Sequence, residues 1–423
     1  MSLKRRREDF DAIVVQKYGG SSVATPKMIR MVANRILSSL NNNSHLVVIL
    51  SAMGETTDRL VDLAQGVSDH PGGREMDLLL ATGEQVSVSL LGLALKEMDV
   101  PVVSLSGSQC GIRTDRGFNL ARIQSIDTKR ILEELKDGRV VIIPGFQGLT
   151  SDDELTTLGR GGSDVTGAAM AAALGASVCE IYTDVDGVLS ADPNMVPEAL
   201  KWSTLTFKEA IEMASSGAKV LHPRATAICM AHDIPIHVRS SFHMSEGTWI
   251  SGGGKVMEQA EVVGVSSDKQ VAKVTLLDIP NEPGMAAKIF KDLASENISV
   301  RLIIQSSSSV DRGRITFIPD ADRVGSVNIL VEKWKKEGIT TAGIIETEVV
   351  MISIIGSRLA STPKLISRMF NVLAAEKINI DCISSSEMRL SCVISVNRLS
   401  EAIRAIHKEF FPKVGNINNS KVG

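Results

Sequence analysis

"AIVVQKYGGSS", residues 12–22, is a β-branched apolar run that ends in a lysine, a tyrosine and two glycines. Such a run, closed by glycine, reads as a buried strand followed by a tight loop. Helical patterning follows from Pro26 to Leu40, and Pro26 suits a first helical turn. The strand pattern returns in "HLVVILSAM", "PVVSLSG", "GRVVIIPGFQG" and "SVCEIYTDVDGV", with helical stretches between them such as Glu75 to Glu97 and Thr166 to Leu174. Strands alternating with helices imply an α/β fold, a mostly parallel sheet covered on both faces. Glycines and polar residues sit just after the strands, at the rim where open α/β sheets bind ligands.

At 423 residues the chain is too long for one simple core, so two or three domains are expected. A net charge of -3 gives no overall pull toward nucleic acid or membrane, and neither is expected as a partner. The basic run Lys4 to Arg7 reads as a solvated tail. No apolar run reads as a membrane span, and the N-terminus does not read as a secretory signal. Cys110, Cys179, Cys229, Cys382 and Cys392 are scattered, with no C-x-x-C pair. That argues against a disulfide framework or a bound metal and for a reducing cytoplasm.

The pattern changes at "SGGGK", a glycine-rich break after about Gly252. "VAKVTLLDIPNEPGMAAKIFKDLASENISVRLIIQ" then reads as strand, loop, helix, strand, and "VVMISIIGSRLASTPKLISRMFNVLAAEKINIDCISSS" repeats that order. Placing Gly284-Met285 against Lys364-Leu365 brings the two into register. The expected organisation is a tail over 1–10, a catalytic domain over 11–252, a linker over 253–262, and two copies of one α+β module over 263–345 and 346–423. The last carries a polar tail, "VGNINNSKVG", without the apolar closing strand such a module needs.

Lys17 stands where the first strand meets Gly19 and Gly20, whose backbone donors an anion can approach closely. It adds charge suited to a polyphosphate; alone it reads equally as an exposed lysine beside a turn, since the P-loop order is absent. "TTLGRGGSD", residues 156–164, offers the planar fork of Arg160, the bare backbone of Gly161 and Gly162, and Ser163 and Asp164 as caps for a helix beginning near Val165. Thr156 and Thr157 are placed to donate hydroxyls to a small polar substrate. Asp184 and Asp186, in "YTDVDGV", read either as nucleotide or metal contacts or as a solvated turn. Glu84, in "ATGEQ", reads alone as an exposed helix acid, and Thr57, in "SAMGETTD", is as weak a signal by itself.

Taken together and in order, "VVQKYGGSSV", "SAMGETTD", "LLLATGEQ", "SGSQCGI", "PGFQG", "TTLGRGGSD", "EIYTDVDGV", "GAKVLHPRA" and "IPIHVRSS" resemble the aspartokinases of the amino-acid kinase superfamily. The later repeat resembles that family's tandem ACT domains, ferredoxin-like modules that bind amino acids. The resemblance implies a three-layer α/β/α sandwich that transfers the γ-phosphoryl group of ATP to the β-carboxylate of L-aspartate. The product, 4-phospho-L-aspartate, opens the route to lysine, threonine and methionine. It implies catalytic roles for Lys17, Arg160 and Asp164. Aspartate is expected on Ser51, Thr57, Glu84, Arg160, Gly161, Gly162 and Ser163. ATP is expected on Lys17, Tyr18, Gly19, Gly20, Ser21, Thr183, Asp184 and Lys219, with Mg2+ arriving on the nucleotide and no resident metal site. A carboxylate attacking an anionic phosphate needs cations and positioning rather than a general base, which suits a chain without a Ser-His-Asp or Cys-His constellation. A sister kinase acting on glutamate, acetylglutamate or a nucleoside monophosphate is the alternative within enzymes. A non-catalytic amino-acid sensor is the alternative outside them.

The resemblance also implies a homo-oligomer paired through the ACT-like modules and effectors such as lysine and threonine on Asn281, Gly284, Met285, Ala286, Gln305, Asn379, Ile380 and Asp381. Part of the family makes the regulatory half as a separate chain, for which Met257 is a candidate start and equally an ordinary linker methionine. Here the chain departs from its family's pattern. Asn281 stands where an acid is usual, Ser299-Val300-Arg301 replaces an "N-I-D" run, and Lys364 replaces a glycine. Weak or altered feedback is therefore expected.

Overall fold

The computed structural model describes residues 12–40, 45–218, 220–253, 261–307, 311–357, 359 and 361–412. Lys4 to Arg7, Lys219, Met257 and the polar C-terminal tail lie outside them. The chain divides into two compact units: Met1–Leu189, Leu200–Ser215 and Lys219–Met257 form the first, and Ser190–Ala199, Ser216–Ala218 and Glu258–Gly423 the second.

Twelve strands build the described first unit: β1 (Ile13–Tyr18), β2 (His45–Leu50), β3 (Val102–Ser104), β4 (Ile112–Thr114), β5 (Ile123–Ile126), β6 (Val140–Pro144), β7 (Gln147–Leu149), β8 (Leu155–Thr157), β9 (Val178–Thr183), β10 (Thr204–Thr206), β11 (Ile236–Ser240) and β12 (Thr248–Ser251). Eight of them form one sheet in the order β10-β12-β11-β9-β1-β2-β6-β3. Every neighbouring pair is parallel except β11 with β12. The central strands carry unbroken Val, Ile and Leu runs because both faces are covered, so no polar alternation is needed.

Helix α1 (Pro26–Leu40) starts and ends where the sequence pattern places it. α2 (Thr56–Gln65), α3 (Gly73–Leu80), α4 (Thr82–Lys96) and α5 (Lys129–Lys136) follow, then α6 (Gly162–Leu174), α7 (Phe207–Ser215) and α8 (Pro223–Ala231). Ile29, Val32, Ala33 and Ile36 of α1 and Val88, Leu91 and Leu95 of α4 join Tyr18, Val48 and Ile142 in one core against the sheet. Each such side chain contributes about 1.5–3 kcal/mol on burial. α3 and α4 run on as one 24-residue stretch, Gly73–Lys96, long and apolar enough to cross a bilayer. That qualifies the expectation that no such run exists; its apolar side belongs to this core. On the other face lies α6, "GSDVTGAAMAAAL", whose small residues let it sit low on β1. A Cβ on Gly167 would lie 3.3 Å from Lys17 Cβ.

β4, β5, β7 and β8 make a second small sheet, in the order β5-β4-β7-β8. The sequence pattern did not indicate it, because strands of three or four residues are too short to show a period.

The second unit contains the two modules. The first is β14 (Lys273–Pro280), α9 (Met285–Ser295), β15 (Val300–Ser307), β16 (Arg312–Pro319), α10 (Val324–Lys336) and β17 (Ala342–Glu346), with sheet order β15-β16-β14-β17. The second has β18 (Val349–Ile355), α11 (Pro363–Ala375), β19 (Cys382–Ser385), β20 (Arg389–Ser395) and α12 (Leu399–Phe410). Its fourth strand is β13 (Gly264–Asp268), which pairs antiparallel with β18 in the order β13-β18-β20-β19. The closing strand missing from the polar tail thus comes from the segment just before the first module, which belongs with 346–423 rather than with 263–345. Ser190–Ala199 also leaves the expected 11–252 domain, because Ala191 and Val196 are buried with Val350, Ile352 and Leu365 of the second module.

Candidate active site

Strand β1 delivers Lys17 to the carboxyl end of the sheet, and α6 delivers Asp164 in its first turn. The two meet: Lys17 Nζ lies 2.5 Å from Asp164 Oδ1, with both side chains largely buried. This corrects two expectations. Lys17 is 8% exposed rather than a surface lysine, and Asp164 binds the lysine rather than capping a helix. The helix begins at Gly162, earlier than expected, after Gly161 in the left-handed region (φ 73°), and no side chain caps it. Only glycine adopts that turn without strain, and a Cβ there would also collide with the His222 ring. Gly162 N and Asp164 N already donate to Gly159 O and Gly161 O at 2.9 and 3.1 Å, which leaves Ser163 N as the first-turn donor for an anion.

Ser163 Oγ lies 2.8 Å from Ser51 Oγ, which joins the end of β2 to this turn. Next along the chain, Ala52 N donates to Glu84 Oε1 at 3.1 Å. Glu84 is not an exposed helix acid: it is 3% exposed, and burial pushes its carboxyl up to about 7, against hydrogen bonds from Ala52 and Gln147 that favour the ion. Thr57 stands in the first turn of α2, half-buried. Arg160 is exposed and makes no ion pair or hydrogen bond among the described residues.

The nucleotide side is less open than expected. Gly19 N donates to Tyr182 O at 3.3 Å, and Gly20 opens a 3-10 turn with the exposed Ser21. The Tyr18 ring is fully buried and stacks on Tyr182 at 4.5 Å, so it belongs to the core. Thr183 Oγ1 donates to Asp184 Oδ1 at 3.0 Å at the end of β9, where Asp184 and Asp186 are exposed. Among the described residues no group of three or more acids, histidines or cysteines is arranged to hold a metal ion.

Thr156 and Thr157 are not substrate donors. Thr156 Oγ1 pairs with Thr114 Oγ1 at 2.6 Å and Thr157 Oγ1 donates to Asp77 at 2.6 Å, all in the interior. Asp77, Gln147 and His222 are the residues the motifs did not single out. Gln147 Nε2 donates to Ala81 O and toward Glu84. His222 opens α8, its Nδ1 accepting from Arg224 N, and burial lowers its pKa against the pull of Asp164. "LHPR" carried the signal for His222, since proline favours the first helical turn.

The residues expected to hold an effector fall into two groups within the second unit. Asn281, Gly284, Met285 and Ala286 lie between the end of β14 and the start of α9, whereas Asn379, Ile380 and Asp381 lead into β19. Asp381 Oδ2 is 3.3 Å from Nζ of Lys273, at the opposite end of β14 from Asn281. Seven residues of strand separate those ends, about 23 Å. Gln305 stands exposed on β15 opposite Ile315. Arg301 pairs with Asp268 and, at 2.7 Å, with Asp320.

A cation buried beside an acid at a helix N-terminus, with a carboxyl poised near neutrality and an unpaired arginine close by in sequence, is a layout for an anionic amino-acid substrate. The family model for the amino acid kinase family matches residues 12–240, and that for the ACT domain matches 278–332 and 352–410. The aspartokinase of Corynebacterium efficiens is 42% identical over 94% of this chain and 96% of its own length. That of Thermus thermophilus is 43% identical over 94% and 98%. The chain belongs to the aspartokinases of the amino acid kinase family. Aspartokinase III of E. coli, in complex with aspartate and ADP, superposes with a TM-score of 0.82 at 27% identity, covering 94% of this chain and all of that one. With lysine and aspartate bound, the same enzyme gives a TM-score of 0.72 at 26% identity over 94% of this chain and 99% of its own. The three-layer kinase fold, the regulatory modules and the aspartate kinase activity of this aspartokinase follow from that membership, which sets aside the glutamate kinase and pseudokinase alternatives.

Proposed function

We propose that Lys17, Asp164, Glu84 and Arg160 divide the reaction between phosphoryl and amino acid. The observation that carries this is the buried Lys17–Asp164 pair in the first turn of α6. The β-carboxylate of aspartate attacks the γ-phosphorus of ATP, a new P–O bond forms, and the bond to the bridging oxygen breaks with its electron pair leaving on ADP. Lys17, held by Asp164, neutralises charge on the transferred group, and Ser163 N in the first turn of α6 adds to it. Glu84 takes the substrate ammonium and Arg160 a carboxylate. Gly19 to Ser21, Thr183 and Asp184 are assigned to the nucleotide, as is Lys219, which lies outside the described residues, and magnesium enters on its phosphates as part of the substrate. That aspartokinase III is known with aspartate and ADP bound supports both substrates. A coupled assay of ADP release tests the assignment: turnover with L-aspartate and none with L-glutamate is expected, and the reverse rejects it.

Arg160→Lys raises the KM for aspartate by about tenfold and leaves that for ATP unchanged, because a point charge does not replace a planar bidentate fork. An equal rise in both constants contradicts the placement of Arg160 on aspartate.

The regulatory half is proposed to respond weakly to lysine plus threonine. Arg301 stands where an acid would attract an effector's ammonium, and its own charge is met by Asp268 and Asp320. Asp381 is engaged by Lys273. With these charges already paired, an effector's ammonium loses the attraction of a free carboxylate at both positions. An inhibition curve checks this: strong concerted inhibition at sub-millimolar lysine plus threonine rejects it. Pairing of modules between chains belongs to the same proposal, supported by exposed Ile303, Ile344 and Ile383 on module strands. The five free cysteines fit a reducing cytoplasm.

A further inference from the structure

We propose that Asp77 is a positioning residue for the aspartate site, acting through the loop that carries Arg160. Asp77 lies on α3, is fully buried, and has no cationic partner among the described residues. Its two oxygens take four donors. Thr157 N and Oγ1 donate at 2.9 and 2.6 Å, and Asn119 N and Nδ2 at 3.0 and 2.5 Å. Asn119 is pinned in turn to the start of α3, its Oδ1 accepting from Gly73 N at 2.8 Å. Asn119 holds a left-handed backbone (φ 69°), and its carbonyl oxygen lies 3.2 Å from where a Cβ on Gly159 would stand. The carboxylate thus staples α3, the 119–120 turn and the end of β8 together.

A carboxylate buried without a counter-ion is costly. It is also the one side chain of this size that accepts four hydrogen bonds and donates none; an amide in its place turns donors toward donors. The staple sits where the loop most needs it. Thr157 is three residues before Arg160, and Gly159 and Gly161 on either side of the arginine both have positive φ. Arg160 has no side-chain partner, so its direction is inherited from this backbone. α6 anchors the downstream end of the loop and Asp77 the upstream end. Asp77 also stands seven residues before Glu84 on the continuous α3–α4 stretch. One carboxylate therefore sets the span between the two groups assigned to aspartate, and none of those assigned to ATP. The inference rests on that assignment.

The test is a double-mutant cycle of Asp77→Asn with Arg160→Ala, with aspartate and ATP kinetics on each variant and circular dichroism to establish folding. Asp77→Asn is expected to raise the KM for aspartate about tenfold or more, as small misplacements of a binding group do, with that for ATP unchanged. Within the Arg160→Ala background it should add little. Thr157→Val, which removes one donor and keeps the other three, gives the same split at about threefold, and it serves if Asp77→Asn does not fold. A folded Asp77→Asn with unchanged aspartate KM, or equal changes in both constants, overturns the proposal. Fully additive effects overturn the positioning role while leaving the site assignment standing. An Arg160→Ala enzyme with unchanged aspartate KM overturns the site assignment, and this inference with it.

Discussion

Lys17→Ala lowers kcat by on the order of 10²-fold or more, with smaller changes in either KM. The lysine is aimed at charge that grows as the phosphoryl group leaves ADP, so its interaction is strongest in the transition state. The same variant is destabilised as well, contrary to what an exposed loop would predict. Lys17 Nζ is 2.5 Å from Asp164 Oδ1 in the interior, and its removal leaves that acid buried without a cation. Breaking a buried pair from one side costs about 3–5 kcal/mol. Lys17→Ala/Asp164→Ala removes both charges and should regain much of the stability without regaining the rate. Steady-state kinetics with thermal melting of both variants checks the pair of statements. A folded Lys17→Ala enzyme within a few-fold of the wild-type kcat removes the lysine from the reaction.

How much of this was legible in the sequence depended on the range of the interaction. β1, β2, β6 and β9 announce themselves, since a central parallel strand is an unbroken β-branched run closed by glycine, proline or a polar turn. α1 does too, with proline at its first position and its apolar face on a helical period. The family resemblance, rather than any single motif, grouped Lys17, Glu84 and the Arg160 loop as one expected site. What they did not give is the state of each group. "TTLGRGGSD" looks like a row of donors for a ligand, yet the threonine hydroxyls are taken by Thr114 and by Asp77, 42 and 80 residues away in the chain. An acid in mid-helix such as Asp77 carries no local sign that its partners lie in a distant strand and turn. The same holds for β13. Its five residues fit either module, and only the pairing of Gly264 with Ile355 assigns them to the second. Charge–charge context was hidden likewise, since Arg301 reads as a bare cation until Asp268 and Asp320 are seen against it.

Glu84 makes the aspartate reaction sensitive to pH just below neutrality. Its carboxyl is pushed up to about 7 by burial, against hydrogen bonds from its own backbone N–H, Ala52 N and Gln147 Nε2 that favour the ion. The substrate ammonium needs the charged form. Below the free enzyme's pKa the acid is neutral, so kcat/KM for aspartate falls about tenfold per unit as pH drops below about 7. Once the ammonium is bound it holds the carboxylate ionised, so the corresponding limb of kcat lies at lower pH. Glu84→Gln abolishes the limb and raises the aspartate KM by about 10²-fold, the loss expected for a buried ion pair with substrate, while the KM for ATP stays unchanged. The stability effect has the opposite sign. A carboxyl whose folded pKa lies above its unfolded value costs stability as pH rises through that window, because the unfolded chain releases the proton first. At pH 8 the substrate-free Glu84→Gln protein should therefore be more stable than the wild type by about 1–3 kcal/mol, an advantage that vanishes below about pH 4. Saturating aspartate narrows the gap, since ligand binding stabilises only the enzyme that retains the acid. Thermal melting at both pH values and a pH profile of kcat/KM decide the matter. A variant that keeps the acidic limb places the titrating group elsewhere. One that loses stability at pH 8 shows that the buried acid is structural rather than poised for an ammonium.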